Sequence, residues 1–267
     1  MLVNQIIGVI EQVAPRAFQE SWDNTCLQVG NPFSECTGVL ICVDVTPEVI
    51  DEAIAKKCSL VVSHHPLIFK GIKQLVGATP QQAAIMNAIA AGINVYSNHT
   101  ALDNVPGGVS YTIAEKLGVH VQDALVPKPG EHSTKYGLGV FGDFEERPTV
   151  SQLIERVKKT FDSPVVRTTN RALLDADDPV TTIAICGGSG GEFIPVAIER
   201  RAQVYLTSDV RYHDFVDYGD RLMIIDIGHY ESEKCTREIF KRIITDRFGD
   251  EVPVLISESQ TNPIHYL

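Results

Sequence analysis

The chain has 267 residues, 44% of them hydrophobic and 21% charged, which excludes a disordered or fibrous protein and allows about two domains. Its 23 Lys and Arg stand against 34 Asp and Glu, a net charge of −11. That balance argues against broad binding to nucleic acid or anionic membrane, whose affinity comes from clustered Lys and Arg. The longest apolar run, around residues 39–43, is far short of the roughly 20 residues that span a bilayer.

In chain order, residues 1–7 (MLVNQII) have neither a basic n-region nor a small-residue cleavage site, and read as the start of an amphipathic helix. Residues 38–45 (GVLICVDV) read as a strand bounded by Gly38 and Thr46-Pro47, and residues 48–57 as a helix with Val49, Ile50, Ala53 and Ile54 on one face. A strand at 59–63, a helix at 80–91 stopped by Gly92, a strand at 93–97 and a helix at 108–117 follow. Loop-rich residues 126–135 (VPKPGEHSTK) mark the expected boundary, with the join near residue 125. Beyond it come a strand at 136–141, a helix at 149–161, strands at 181–186, 203–206 and 222–227, and helices at 192–201 and 230–248. The expectation is α/β: two lobes, each a mixed or mostly parallel sheet flanked by helices. Residues 1–125 with 229–267 would form the first lobe and 126–228 the second. Cys26, Cys36, Cys42, Cys58, Cys186 and Cys235 show no CxxC spacing and read as reduced core residues of a cytoplasmic protein.

Four strands end abruptly in metal-capable or acid/base residues: SLVVS runs into His64-His65-Pro66, INVYSN into His99 and Asp103, QVYLTS into Asp209 and His213, and LMIIDIG into His229 and Glu233. Five of the eight histidines lie at these ends, where loops of an α/β sheet converge on a ligand crevice. Each signal has a plainer reading. His64-His65 would serve as a solvated pair, Glu233 as a first-turn carboxylate favouring the helix dipole, and Asp103 as a turn residue before Pro106-Gly107-Gly108. Taken together, His64, His65, His229, Asp103 and Glu233 suit two divalent ions about 3.5–4 Å apart. Nitrogen and oxygen ligands without thiolate fit Zn, Fe or Mn alike. The run Gly187-Gly188-Ser189-Gly190-Gly191 reads as a tight strand-to-helix turn with amides that could cradle an anion, although it completes neither a P-loop nor GxGxxG. Lys70, just past the histidine pair, is placed to meet a substrate phosphate or simply to be solvated.

Trp22-Asp23-Asn24, Ser63-His64-His65-Pro66-Leu67-Ile68-Phe69, His99-Thr100 with Asp103, Gly187-Gly188-Ser189-Gly190, Thr207-Ser208-Asp209 with His213, and Gly228-His229 with Glu233 occur in this order. In these the chain resembles the NGG-one-interacting-factor-three-like family, whose bacterial members carry the label GTP cyclohydrolase I type 2 homologue. The resemblance runs from about residue 4 to the C-terminus and implies a two-lobed subunit in a toroidal homohexamer, with a dinuclear metal site in the cleft between lobes. It implies His64, His65, Asp103, His229 and Glu233 as ligands, with Glu233 bridging. His99 would stand beside the metals as a proton-transfer residue, the catalytic candidate, and Asp209 and His213 would line the crevice. Ser208 departs from the glycine expected before Asp209. The activity implied is a metal-dependent hydrolase using a metal-bound hydroxide on a small nucleotide-like or heterocyclic substrate, GTP ring opening being one form. The alternative is a non-catalytic hexamer that stores or delivers metal or recruits a partner. A ring around DNA is opposed by the acidic charge.

Overall fold

All residues, Met1–Leu267, are described by the computed structural model of the chain. In order it runs α1 (Val3–Val13), β1 (Cys26–Val29), β2 (Val39–Cys42), α2 (Pro47–Ala55), β3 (Leu60–Ser63), α3 (Pro80–Ala91), β4 (Asn94–Ser97), α4 (Thr100–Asp103), α5 (Val109–Leu117), β5 (Val119–Pro127) and β6 (Gly137–Phe144). Then follow α6 (Val150–Phe161), β7 (Arg167–Thr168), α7 (Arg171–Ala176), β8 (Thr182–Ser189), α8 (Ile194–Glu199), β9 (Val204–Ser208), α9 (Tyr212–Tyr218), β10 (Met223–Asp226), α10 (His229–Glu233), α11 (Thr236–Phe248) and β11 (Val254–Ile256). No helix is long and apolar enough to cross a membrane. All six cysteines are free thiols.

Two compact units result: residues 1–102 with 234–263, and residues 103–233 with 264–267. The first holds a five-stranded sheet in the order β1-β4-β3-β2-β11, parallel except for β1. Strands β2, β3 and β4 are buried along their whole length, which is why they read as unbroken apolar runs without alternation. Helix α2 starts where the Thr46 hydroxyl accepts a bond from the Val49 amide with Pro47 in the first turn. It buries Val49, Ile50 and Ala53 against Leu40 and Val61. Helix α3 begins the same way at Thr79-Pro80 and stops at Gly92, as the sequence predicts.

The second unit has a six-stranded mixed sheet, β5-β6-β8-β9-β10-β7, in which only the β8-β9-β10 core is parallel. Loop-rich residues 126–135 prove to be the crown of the antiparallel β5–β6 hairpin rather than a boundary. Pairing persists into the loop, where Ala124 N donates to Thr134 O and Lys128 N to Tyr136 O, both 2.8 Å. The units therefore change over at Leu102/Asp103 instead of near residue 125. The helix expected over 230–248 is broken into α10 and α11. Within α10 the Ser232 hydroxyl donates to the His229 carbonyl at 2.8 Å, a side-chain bond that competes with the helical ladder.

Candidate metal centre

In the first unit, strand register assembles the site. Cys42 pairs with Ser63, and Ser63 with Ser97, across three parallel strands. Two residues beyond each lie Asp44, His65 and His99, level with one another at the carboxyl edge of the sheet. The turn is pinned by Ser63 Oγ, which donates to the His65 carbonyl and lies 2.8 Å from Ser97 Oγ. His64, His65 and His99 converge, with ligand-capable atoms within 4.8 Å of one another and ring centroids 5.1–5.3 Å apart.

Each of these imidazoles is held by its Nδ1. His64 Nδ1 meets the Asn98 carbonyl at 3.3 Å, His65 Nδ1 the Asp44 carboxylate at 2.7 Å, and His99 Nδ1 the Asp23 carboxylate at 2.9 Å. Carbonyl and carboxylate oxygens only accept, so Nδ1 carries the proton and the lone pair sits on Nε2. An oxygen acceptor behind a ligating imidazole is the arrangement that fixes tautomer and orientation in metal sites. The donor set therefore fits a divalent cation. Asp23 is itself rigid, its buried carboxylate also accepting from the Asn24 amide, the Thr100 amide and the Thr100 hydroxyl.

The second unit repeats the device. Asp209 follows β9 with φ +55°, a conformation tolerated by Asp, and its carboxylate lies 2.7 Å from His229 Nδ1. His229 Nε2 lies 2.9 Å from Glu233 one turn on, at the i,i+4 spacing that stacks two side chains on one helical face. Burial works to lower the His229 pKa, but Asp209 and Glu233 outweigh it and raise it to about 11. His229 is thus protonated at neutral pH without metal. Any ion bound there must displace that proton, so affinity is expected to rise about tenfold per pH unit between pH 6 and 8. Calorimetry in buffers of different ionisation enthalpy reads the released proton, and binding without proton release would contradict this assignment.

Asp103, half-buried at the end of α4, and buried Glu233 both act on the same thiol. Cys186 is pushed up to about 12 by burial first, and then by the negative charges of Asp103 and Glu233. His213 is exposed and edge-on to Tyr212, outside the His64–His65–His99 cluster.

The glycine run makes room for these groups. Gly187, Gly188 and Ser189 continue β8 rather than turning. A Cβ on Gly188, whose φ is +68°, would come 2.1 Å from Glu233 Oε1, and one on Gly190 would come 2.4 Å from Thr207 Oγ1. The Gly188 carbonyl accepts from Ser208 Oγ at 2.6 Å, so the serine that departs from the expected glycine ties β9 to the segment under Glu233. Gly188→Ala is expected to displace the Glu233 carboxylate and weaken metal binding about tenfold or more, measured by calorimetry. Wild-type affinity would show that the close approach is immaterial. Asp44 was missed in the sequence, although its strand ends in a carboxylate beside the histidine strand, the same signal that singled out the other four.

Fold and site together define an α/β protein with a candidate metal centre at the carboxyl ends of its parallel strands. The family model Duf34/NIF3 (NGG1p interacting factor 3) matches residues 1–263. A Lactococcus lactis protein named GTP cyclohydrolase 1 type 2 homolog is 33% identical, covering 99% of both chains. A Clostridium acetobutylicum protein of the same name is 29% identical over 99% of this chain and 98% of its own. Among solved structures, the Staphylococcus aureus hypothetical protein SA1388 superposes with a TM-score of 0.90 at 28% identity, covering 100% of this chain and 99% of its own. The chain belongs to the DUF34/NIF3 family.

Proposed function

We propose that the protein is a metal-dependent hydrolase in which His64, His65, Asp103, His229 and Glu233 hold two divalent ions, Zn, Fe or Mn. The observation that carries this reading is the common anchoring of His64, His65, His99 and His229 through Nδ1. Imidazole and carboxylate ligands complement each other in type, since a bridged pair of ions uses both. Bound ions would supply an acidified water and positive charge for a developing oxyanion.

His99 is the catalytic residue of this reading. Asp23 fixes its Nδ1 proton, so Nε2 holds or passes a proton at the cluster. The substrate is a small nucleotide-like or heterocyclic molecule, in keeping with the names of the relatives; ring opening of GTP is one candidate. The working form is a homohexameric toroid in the cytoplasm, expected by light scattering at six times the mass of one chain.

Metal-loaded protein is to be assayed against GTP and a panel of nucleotides and phosphoesters. Turnover that disappears with chelation and in His99→Gln supports the proposal. A protein that binds metal yet leaves the whole panel untouched at every pH would overturn the hydrolase and favour metal storage or delivery.

A further inference from the structure

Beside the His64–His65–His99 cluster, the first unit exposes two aromatic rings that are firmly held. Trp22 is 56% exposed and Phe69 42% exposed, with centroids 5.9 Å apart and planes tilted by 55°. Both rings face His99, Trp22 edge-on at 6.0 Å and Phe69 at 6.5 Å. Their backbones are strapped together: Asn24 Nδ2 donates to the Ile68 carbonyl at 2.6 Å, and the Ile68 amide donates to Gln28 Oε1 at 2.8 Å. On the other side Gln81 Nε2 of α3 donates to the Leu67 carbonyl at 2.5 Å. Trp22 also precedes the buried, multiply bonded Asp23. Exposed aromatics fixed this well leave apolar surface in water for something else to cover.

Phe69 also borders a cavity of about 430 Å³ lined by Lys70, Ile72, Lys73, Gln81 and Gln82, within the size range of small-ligand sites. Neither lysine has a carboxylate within ion-pair distance, although the chain carries a net charge of −11. Two unneutralised ammonium groups in an acidic protein attract a compact anion locally, while the overall charge repels a polyanion.

We propose that Trp22 and Phe69 stack a planar heteroaromatic ring while Lys70 and Lys73 bind a phosphate attached to it. Phe69 borders both the lysine-lined cavity and His99, which puts the phosphate on the cavity side of this ring and the heteroaromatic ring on the His99 side. Tilted rings suit this, since a flat ligand lies against one face and meets the edge of the other. The assignment gives the substrate class of Proposed function its binding residues, a ring subsite and a phosphate subsite, and rests on that reading for its catalytic meaning. The binding itself requires no metal.

Trp22 is the only tryptophan in the chain, so its fluorescence reports this place alone. Chelator-treated and metal-loaded protein are titrated with guanosine 5′-monophosphate, guanosine, nicotinate and inorganic phosphate, with excitation beyond the absorption of guanine. Saturable quenching by the nucleotide is expected, about tenfold or more tighter than by guanosine. The Lys70→Gln/Lys73→Gln double variant, altered only at exposed positions, is expected to bring the nucleotide to the guanosine level without changing guanosine itself. Phe69→Ala is expected to weaken both about tenfold. Absence of saturable quenching by any ring compound, indifference of the nucleotide to both lysines, or equal binding of nicotinate would overturn the proposal. Quenching in a protein that takes up no metal would sink the hydrolase and leave this subsite standing; metal uptake without quenching would do the reverse.

Discussion

Glu233→Gln is expected to lower affinity for divalent metal more than any other single change, by more than the about 10–100-fold typical of losing an outer hydrogen-bond partner. The carboxylate faces His229 Nε2 at 2.9 Å and belongs to the proposed ligand set. An amide is nearly the same size but neutral, and a far poorer metal ligand. It also removes one of the two carboxylates that hold the His229 proton. The pKa of His229 should therefore fall from about 11, and the alkaline limit of the pH range over which metal binding releases a proton should move down. Calorimetry with zinc and manganese reads both quantities. Unchanged stoichiometry and affinity would remove Glu233 from the ligand set.

Asp23→Ala is expected to cost about 3–5 kcal/mol of stability, the range for removing one member of a buried charged network. The side chain is buried, and its loss strands the His99 ring N–H and the Thr100 amide and hydroxyl. At about 2–4 °C per kcal/mol for a chain of this size, melting should fall by about 10 °C. The pH dependence has a definite sign. Burial by itself would raise the Asp23 pKa, but the hydrogen bond and charge of His99, with the Thr100 and Asn24 bonds, hold it well below the usual carboxylate range. A carboxylate depressed in the folded state contributes fully above its unfolded value near pH 4 and loses that contribution as pH falls toward the folded one. The gap in melting temperature between wild type and variant should narrow on acidification below about pH 4. A constant gap from neutral to strongly acid pH would show that the charge on Asp23 contributes nothing.

The carboxyl ends of the buried strands were legible in the sequence because apolar runs stop there against His64, His65, His99 and His229. A run buried on both faces has no reason to end in imidazole unless the edge has work for it. Helical spacing put Glu233 within reach of His229, but by itself it left the first-turn reading of Glu233 standing, and the structure shows the two in contact. The anchors were harder to see. Asp44 and Asp23 meet their histidines only through parallel register and a loop, which local pattern does not encode. The hairpin of β5 and β6 was hidden by the Pro and Gly of its crown, which look the same in a linker and in a turn. The glycine run was read for its amides, whereas the structure uses the absence of Cβ atoms to admit Glu233 and Thr207.

Anomalous diffraction from crystals grown with zinc, iron or manganese, collected at each absorption edge, tests the metal centre most directly. The account predicts two peaks, with Nε2 of His64, His65 and His229 about 2.0–2.1 Å from metal, Nδ1 of each still on its oxygen acceptor, and carboxylate oxygens of Asp103 and Glu233 completing the ligand set. Peaks elsewhere, or no peak beside these histidines at saturating metal, would contradict it.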